Sequence, residues 1–351
     1  MRTFDYKKRY ESLLQPYVVA LVAEIHEYKG RQALLTETKM DILLQLQEIA
    51  KIQSTGASNR MEGVCTSDER LKKIVLDKTI PKTRSEKELA GYRDVLNSIC
   101  QNYDYIPVKS SAFLQLHREL YKFAGNTGGR FKSTAHVITS EKEQKNKLNV
   151  FLPVSAVEKT IYLDAICEAF QDAYKDAEYD PLLLIPMFIL DFLCIQPFGE
   201  RDERLSRLVT LLMLFQAGYI VGMYSSIENL IEQTKETYYA SIQESSKYWY
   251  EEKNDDVPFV QYMLEIIAAA YRDFLSKMEL LAVSGISKQE RVRKVVRGTM
   301  GKITRVQIMG KCPDISRVTV ERALTNMVKK GEILKIGGGR YTAYIWNREK
   351  K

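Results

Sequence analysis

Ile195-Gln196-Pro197-Phe198-Gly199-Glu200-Arg201-Asp202-Glu203-Arg204-Leu205-Ser206-Arg207 is the stretch on which the reading of this 351-residue chain turns. Pro197 and Gly199 break an apolar run, and beyond them Leu205, Leu208, Leu211, Leu212 and Phe215 recur at helical spacing. This pattern predicts a short loop feeding a helix that starts near Glu200 and buries its leucine face. Just upstream, Pro181 to Cys194 is apolar on every side, which predicts a central bundle helix that carries the loop from the core to the surface.

Composition sets the frame. The chain is 45% hydrophobic and 28% charged, ordinary for a globular protein, and its length predicts two or three domains. No apolar run approaches the roughly 18 residues of a membrane span, and the first residues, Met1 to Lys7, lack the apolar core of a signal peptide. The cysteines, Cys65, Cys100, Cys167, Cys194 and Cys312, are scattered, and His26, His117 and His136 lie far apart. No metal-type spacing occurs among them, so reduced thiols in a cytoplasmic protein are the simplest expectation. Charge is uneven. Residues 286–351 hold 17 Lys/Arg against 5 Asp/Glu, a net of +12, so with +7 overall residues 1–285 carry −5. A basic tail on a mildly acidic body implies that the tail meets a polyanion.

Working outward, residues 8–54 read as two helices broken near Tyr28-Lys29-Gly30-Arg31, residues 67–123 as further helices, and residues 157–176 as another. His117 lies on a mostly apolar face and reads as a core histidine. Ala124 to Lys132 is a glycine-rich loop with no buried strand before it, which excludes a dinucleotide fingerprint. Val137-Ile138 and Asn149 to Pro153 read as two short strands joined by a charged tip. After the opening stretch, Ser225-Ser226-Ile227-Glu228 reads as a cap, and a last helix at about 258–281 closes the bundle.

These residues resemble the signature of the Fic family, which transfers AMP from ATP to protein hydroxyls and carries the pattern H-x-F-x-D/E-G-N-G-R-x-x-R. Phe198, Glu200, Arg204 and Arg207 stand in register with it. Gln196 stands where the histidine belongs, and Arg201-Asp202-Glu203 where Gly-Asn-Gly belongs. The resemblance implies that the histidine is the general base toward the target hydroxyl, a task an amide cannot perform near neutral pH. It implies too that the Gly-Asn-Gly turn cradles phosphates, which side chains at both glycine positions obstruct and the Asp202 and Glu203 charges repel. Ser58-x-x-x-Glu62-Gly63 is similar to the family's inhibitory helix, whose glutamate would pair with Arg207. Gly129-Arg130-Phe131-Lys132 resembles the turn before the family's flap, and residues 137–153 the flap itself, whose edge would take a target protein by strand addition.

The resemblance covers roughly residues 40–281 and implies a Fic helical bundle with a short β-hairpin flap; residues 286–351 look like a C-terminal winged helix-turn-helix, so the expected fold is all-α. The expected division is 1–66 with the inhibitory motif, 67–284 as the Fic domain and 285–351 as the DNA-binding domain, joined by a hinge at Val283-Ser284-Gly285. Glu200, Arg204, Arg207 and Tyr239 are the expected nucleotide-binding residues, Glu200 the expected metal ligand, and ATP and Mg2+ the implied ligands, although the altered loop speaks against both. In the tail, Glu290 to Val296 and Ile303 to Lys311 are the first two expected helices, Ser316 caps a third, and a two-stranded wing spans Ile333 to Ile336 and Arg340 to Trp346. Arg317, Thr319 and Arg322 would face bases or phosphates, with Lys335 and Arg340 on the backbone beside them. Three functions compete: a transfer-impaired regulator that binds DNA through its tail, an active transferase using ATP–Mg2+ with Glu203 or Asp202 as base, and a protein-binding module using the flap edge. A homodimer is left open, and no membrane is implied.

Overall fold

The computed structural model describes residues 2–36, 40–125, 128–131, 154–198, 202–282, 287–299, 301–312, 315–339 and 342–347. The expected flap at 137–153, Lys132, Glu200 and Arg201 of the opening stretch, the hinge at 283–285 and Arg340 lie outside these residues. The fold is all-α with one small sheet. Contacts divide it into two compact units, Met1–Arg31 with Ala50–Tyr271, and Gln32–Ile49 with Arg272–Lys351.

The helices in chain order are α1 (Tyr6–Tyr10), α2 (Pro16–Thr36), α3 (Met40–Arg60), α4 (Asp68–Val75), α5 (Arg84–Asn102), α6 (Ser110–Leu120), α7 (Ala156–Tyr174), α8 (Pro181–Ile195), α9 (Asp202–Gln216), α10 (Ile227–Gln233), α11 (Lys235–Ser245) and α12 (Val257–Ala282). The break expected near Gly30 does not occur, since α2 runs through it to Thr36. A glycine costs a helix only about 1 kcal/mol against alanine. Neighbouring contacts offset that: Tyr28 stacks on Tyr271 and Lys29 Nζ donates to the Ala217 carbonyl at 3.0 Å.

Helix α8 is the axis of the bundle. Asp180 caps it, Pro181 occupies its first turn, and every residue from Leu182 to Ile195 is buried. It packs against α7 and α9. Helices α5 and α6 approach so closely that a Cβ on Gly91 would lie 2.0 Å from the Leu120 carbonyl oxygen.

One carboxylate interrupts this apolar axis. Asp191 is 0% exposed, and its oxygens accept from Trp249 Nε1 at 2.6 Å and Arg9 NH1 at 2.7 Å. Arg2 lies 3.6 Å away and donates to the Trp249 carbonyl, while Arg9 also grips Asp256 through two nitrogens at 2.8 and 2.6 Å. Burying a carboxylate in a helix of this kind is tolerable only with such partners. The network ties the segment before α1 and the turn before α12 to the bundle axis.

In the second unit, α13 (Lys288–Gly298), β1 (Lys302–Thr304), α14 (Arg305–Lys311), α15 (Arg317–Lys329), β2 (Ile333–Ile336) and β3 (Ala343–Trp346) follow one another. The sheet is antiparallel in the order β1-β3-β2, with Ile303 opposite Tyr344 and Leu334 opposite Ile345. It has three strands where two were expected, because Ile303, expected to open a helix, pairs as a strand. Thr304 and Gln307 form a capping box, so the helix begins only at Arg305. Val292, Val296, Ile308, Val320, Leu324 and Ile333 fill the core of this region, and Arg293 grips Glu332 at 2.8 and 2.9 Å.

Candidate functional site

The site is built where α8 ends. Ile195 closes the helix and Gln196 follows in the left-handed region at φ 48°, ψ 61°, its N–H bonded to the Phe192 carbonyl at 3.1 Å. A left-handed cap is common at a helix C-terminus but costs a non-glycine residue about 1 kcal/mol. Buried Lys159 of α7 helps to hold it, donating from Nζ to the Gln196 carbonyl at 3.0 Å. The next turn is locked by Asp202, the first residue of α9, whose carboxylate accepts the Phe198 N–H at 3.1 Å. Asp202 was expected to set its charge where phosphates would sit. It is instead buried and turned back into the loop, because a carboxylate in the first turn of a helix is well placed to accept a neighbouring N–H.

Phe198 anchors the loop in a ring stack. Its ring lies 4.5 Å from that of His117 at 15°, and 5.6 Å from that of Phe131 at 14° on a neighbouring turn. His117, read as a core histidine, is 4% exposed. Its Nδ1 accepts the Gly129 N–H at 2.9 Å. A Cβ on Gly128 would fall 2.4 Å from the His117 carbonyl, so the glycines of this loop serve close approach to α6. Burial, with the nearby Arg204 charge, pushes the imidazole down to about 4. The neutral ring must then carry its proton on Nε2, which finds no hydrogen-bond partner among the described residues. A histidine held neutral in this way stabilises the fold fully above its ordinary pKa of about 6.5, and that contribution drains away as pH falls toward 4. The expected loss is about 3 kcal/mol across that window. Urea unfolding of the wild type at pH 7 and 5, beside His117→Phe, checks it: the variant should lose less between the two pH values.

The two arginines of the opening stretch face different partners. Arg204 is wholly buried, donating to Asn59 Oδ1 at 2.7 Å and Tyr121 OH at 2.9 Å, and its NH1 lies 3.2 Å from Glu88. Arg207 bonds the neighbouring residue of α3 and the turn beyond it. Its Nε donates to Ser58 Oγ at 2.8 Å, and its NH2 to the Ser58 carbonyl at 3.0 Å and Glu62 Oε1 at 2.8 Å. Ser58, Glu62 and Arg207, singled out far apart in sequence, thus stand in one cluster. Tyr239 of α11 is half-buried at its edge, its ring edge-on to that of Tyr238 at 5.3 Å. Burial, and then the Glu62 charge, push its phenol up.

A second polar cluster adjoins this one. Glu228, 0% exposed, accepts from Ser54 Oγ at 2.7 Å and Tyr92 OH at 3.0 Å. Burial raises its pKa. Sequence reading took Glu228 for part of a helix cap. Ser226 is the cap, accepting from the Asn229 N–H, and Glu228 turns inward. Asn59, Glu88, Tyr92, Tyr121 and Lys159 were not singled out either. Their only signal was a polar residue on an otherwise apolar helical face.

Arg204 is committed to the core, and Arg207 is closed by Ser58 and Glu62, with NH1 left buried and without an acceptor among the described residues. Nor do the described residues hold a group of His, Cys, Asp and Glu side chains able to bind a metal. No described helix is long and apolar enough to cross a membrane.

No protein-family model matches the sequence, and no curated protein matches it. Solved structures do. A Fic family protein from Desulfovibrio desulfuricans G20 aligns over 96% of this chain and 98% of its own, with 19% identity and a TM-score of 0.61. A Fic domain containing signaling protein from Bacteroides thetaiotaomicron aligns over 73% of this chain and 98% of its own, at 16% identity and a TM-score of 0.61. Fic-1 from C. elegans, residues 134–508, aligns over 74% and 72% at 17% identity with a TM-score of 0.54. At such identities the likeness is one of fold, and the chain is built on the fold of Fic family proteins.

Proposed function

We propose that this chain is a regulator built on a Fic fold that has lost AMP transfer, and that its basic tail is a winged helix-turn-helix that binds DNA. One observation carries the first part: the residue that ends α8 and opens the loop, where the family resemblance puts its general base, is Gln196. A primary amide has no nitrogen that titrates near neutral pH, so it cannot take a hydroxyl proton. The arginine arrangement supports the same reading, since Glu62 and Ser58 occupy Arg207 and the protein interior occupies Arg204. The competing transferase reading needs a substitute base. Asp202 is a poor one, its carboxylate being buried against the Phe198 N–H.

The tail reading rests on element order and charge. A helix, a strand, two helices and a two-stranded hairpin, carrying a net of +12 over residues 286–351, suit a module that sets one helix into the major groove.

The test is labelled ATP with wild-type protein, Glu62→Gly, Gln196→His and the double variant, each with a lysate as acceptor. No transfer is expected from the wild type or from either single variant. Opening Arg207 does not supply a base, and supplying a base does not clear Arg207 or restore the Gly-Asn-Gly turn. Labelling by the wild type or by Glu62→Gly would overturn the loss of transfer.

A further inference from the structure

Of the contact residues expected on α15, Arg317 and Arg322 are exposed and Thr319 is half-buried. Val320, Ala323, Leu324 and Met327 turn into the core. Val318, Glu321, Arg322 and Thr325 therefore share the outer face at helical spacing. Thr319, expected to face bases or phosphates, is half-buried and its hydroxyl bonds Ser316 Oγ at 2.9 Å, completing the helix start. Val318 is 65% exposed in the first turn, and Val306, at the equivalent place in α14, is 73% exposed. Apolar side chains exposed at two helix starts, inside a strongly basic region, suit a partner that is anionic and yet offers apolar contact.

Charges around the face are arranged as well. The Glu321 carboxylate sits between Arg305 of α14 and Arg317 of α15, the latter at 3.0 Å, and these pairs hold its pKa below the usual range. Glu321 thus positions two guanidinium groups, one from each helix that exposes a valine in its first turn, and Arg322 stands one turn beyond Val318, exposed.

Duplex DNA fits this combination. Its phosphates meet the arginines, and the one apolar group that the major groove displays is the thymine 5-methyl. We propose that α15 reads duplex DNA through Val318, packed against a thymine methyl, with Glu321 as the residue that positions Arg305 and Arg317. This rests on the DNA-binding reading of the tail and goes further, since it names a base and the side chain that selects it.

The experiment uses the full chain and a duplex selected by it from a randomised pool. Each thymine is then replaced singly by deoxyuridine, which removes the methyl and nothing else. At one position wild-type binding should weaken about fourfold, the value of about 0.8 kcal/mol for one buried methyl. Val318→Ser should bind the thymine and deoxyuridine duplexes equally, with the salt dependence of its affinity unchanged. Val318 is exposed, so the variant should unfold where the wild type does. Steep salt dependence with no effect of deoxyuridine at any position, or a thymine preference that survives Val318→Ser, overturns the inference and leaves DNA binding standing. Absence of duplex binding at low salt overturns both. If duplex binding is unmoved while Val318→Ser disperses a dimer, the valines are a contact between copies of this chain, and the proposal fails.

Discussion

Asp191→Ala should destabilise the protein by about 3–5 kcal/mol, among the largest single-residue effects in the chain. The side chain is 0% exposed inside a helix with no other charge, and three groups depend on it: Arg9 NH1, Trp249 Nε1 and, at 3.6 Å, Arg2. Truncation leaves the indole N–H without its acceptor and removes a buried counter-charge from two arginines. Asp256 remains to hold Arg9, but burial already pushes that carboxyl up, so it compensates only in part. Asp191→Asn keeps an acceptor for Trp249 and loses the charge, so its cost should lie between wild type and alanine. Urea unfolding followed by tryptophan fluorescence reads the transition directly, because Trp249 is itself in the network. A wild-type-like midpoint for Asp191→Ala would show that the N-terminal arginines rest on the surface and do not tie the bundle.

Arg204→Met should cost about 3 kcal/mol, and it separates a structural arginine from one kept for a nucleotide. The guanidinium is fully enclosed with Glu88, Asn59 and Tyr121 as partners, so its loss takes a buried counter-charge from Glu88, whose ion pair with Arg84 at 3.4 Å involves an exposed side chain. Pairing Arg204→Met with Glu88→Leu should recover more than half of the loss, because a buried ion pair replaced whole by apolar side chains of similar size is often neutral. If instead Arg204→Met unfolds like the wild type but loses an affinity for ATP that the wild type possesses, the arginine belongs to a nucleotide site and the buried-pair account is wrong.

Both effects follow from the same feature of the molecule. Its polar groups sit in small, closed networks between helices, and the loop from Gln196 to Phe198 is clamped by several of them: Lys159 on the carbonyl of Gln196, Asp202 on the N–H of Phe198, and His117 under its ring. A loop held this way is rigid, which suits a scaffold that presents a surface. It also explains why one substitution at position 196 is not expected to return a transferase. The Ser58 and Glu62 contacts with Arg207 stay in place whatever residue ends α8.

How much of this could be read from the residues depended on distance along the chain. The long apolar run from Leu182 to Ile195, the cap at Ser316 and the leucine spacing of α9 are local patterns, and they gave helices where helices stand. The strand at Ile303 was missed because its partner, Tyr344, lies some 40 residues on, and a β-branched pair beside a capping threonine looks like a helix start until the partner arrives. The break expected at Gly30 was wrong for the opposite reason, since a local helix breaker was outweighed by contacts with Tyr271 and Ala217.

By itself, then, the sequence determined an all-helical bundle, a loop that has exchanged its histidine for Gln196, and a basic tail, because periodicity, capping residues and charge are properties of neighbours. Only the tertiary structure decided that Asp191 answers to Arg9 and Trp249, that Arg204 binds Asn59 and Tyr121 while Arg207 binds Ser58 and Glu62, and that Val318 stands exposed while Thr319 bonds Ser316. Pairings across 50 to 200 residues leave no period in a sequence; they exist only once packing has excluded water and each buried polar group must find a partner.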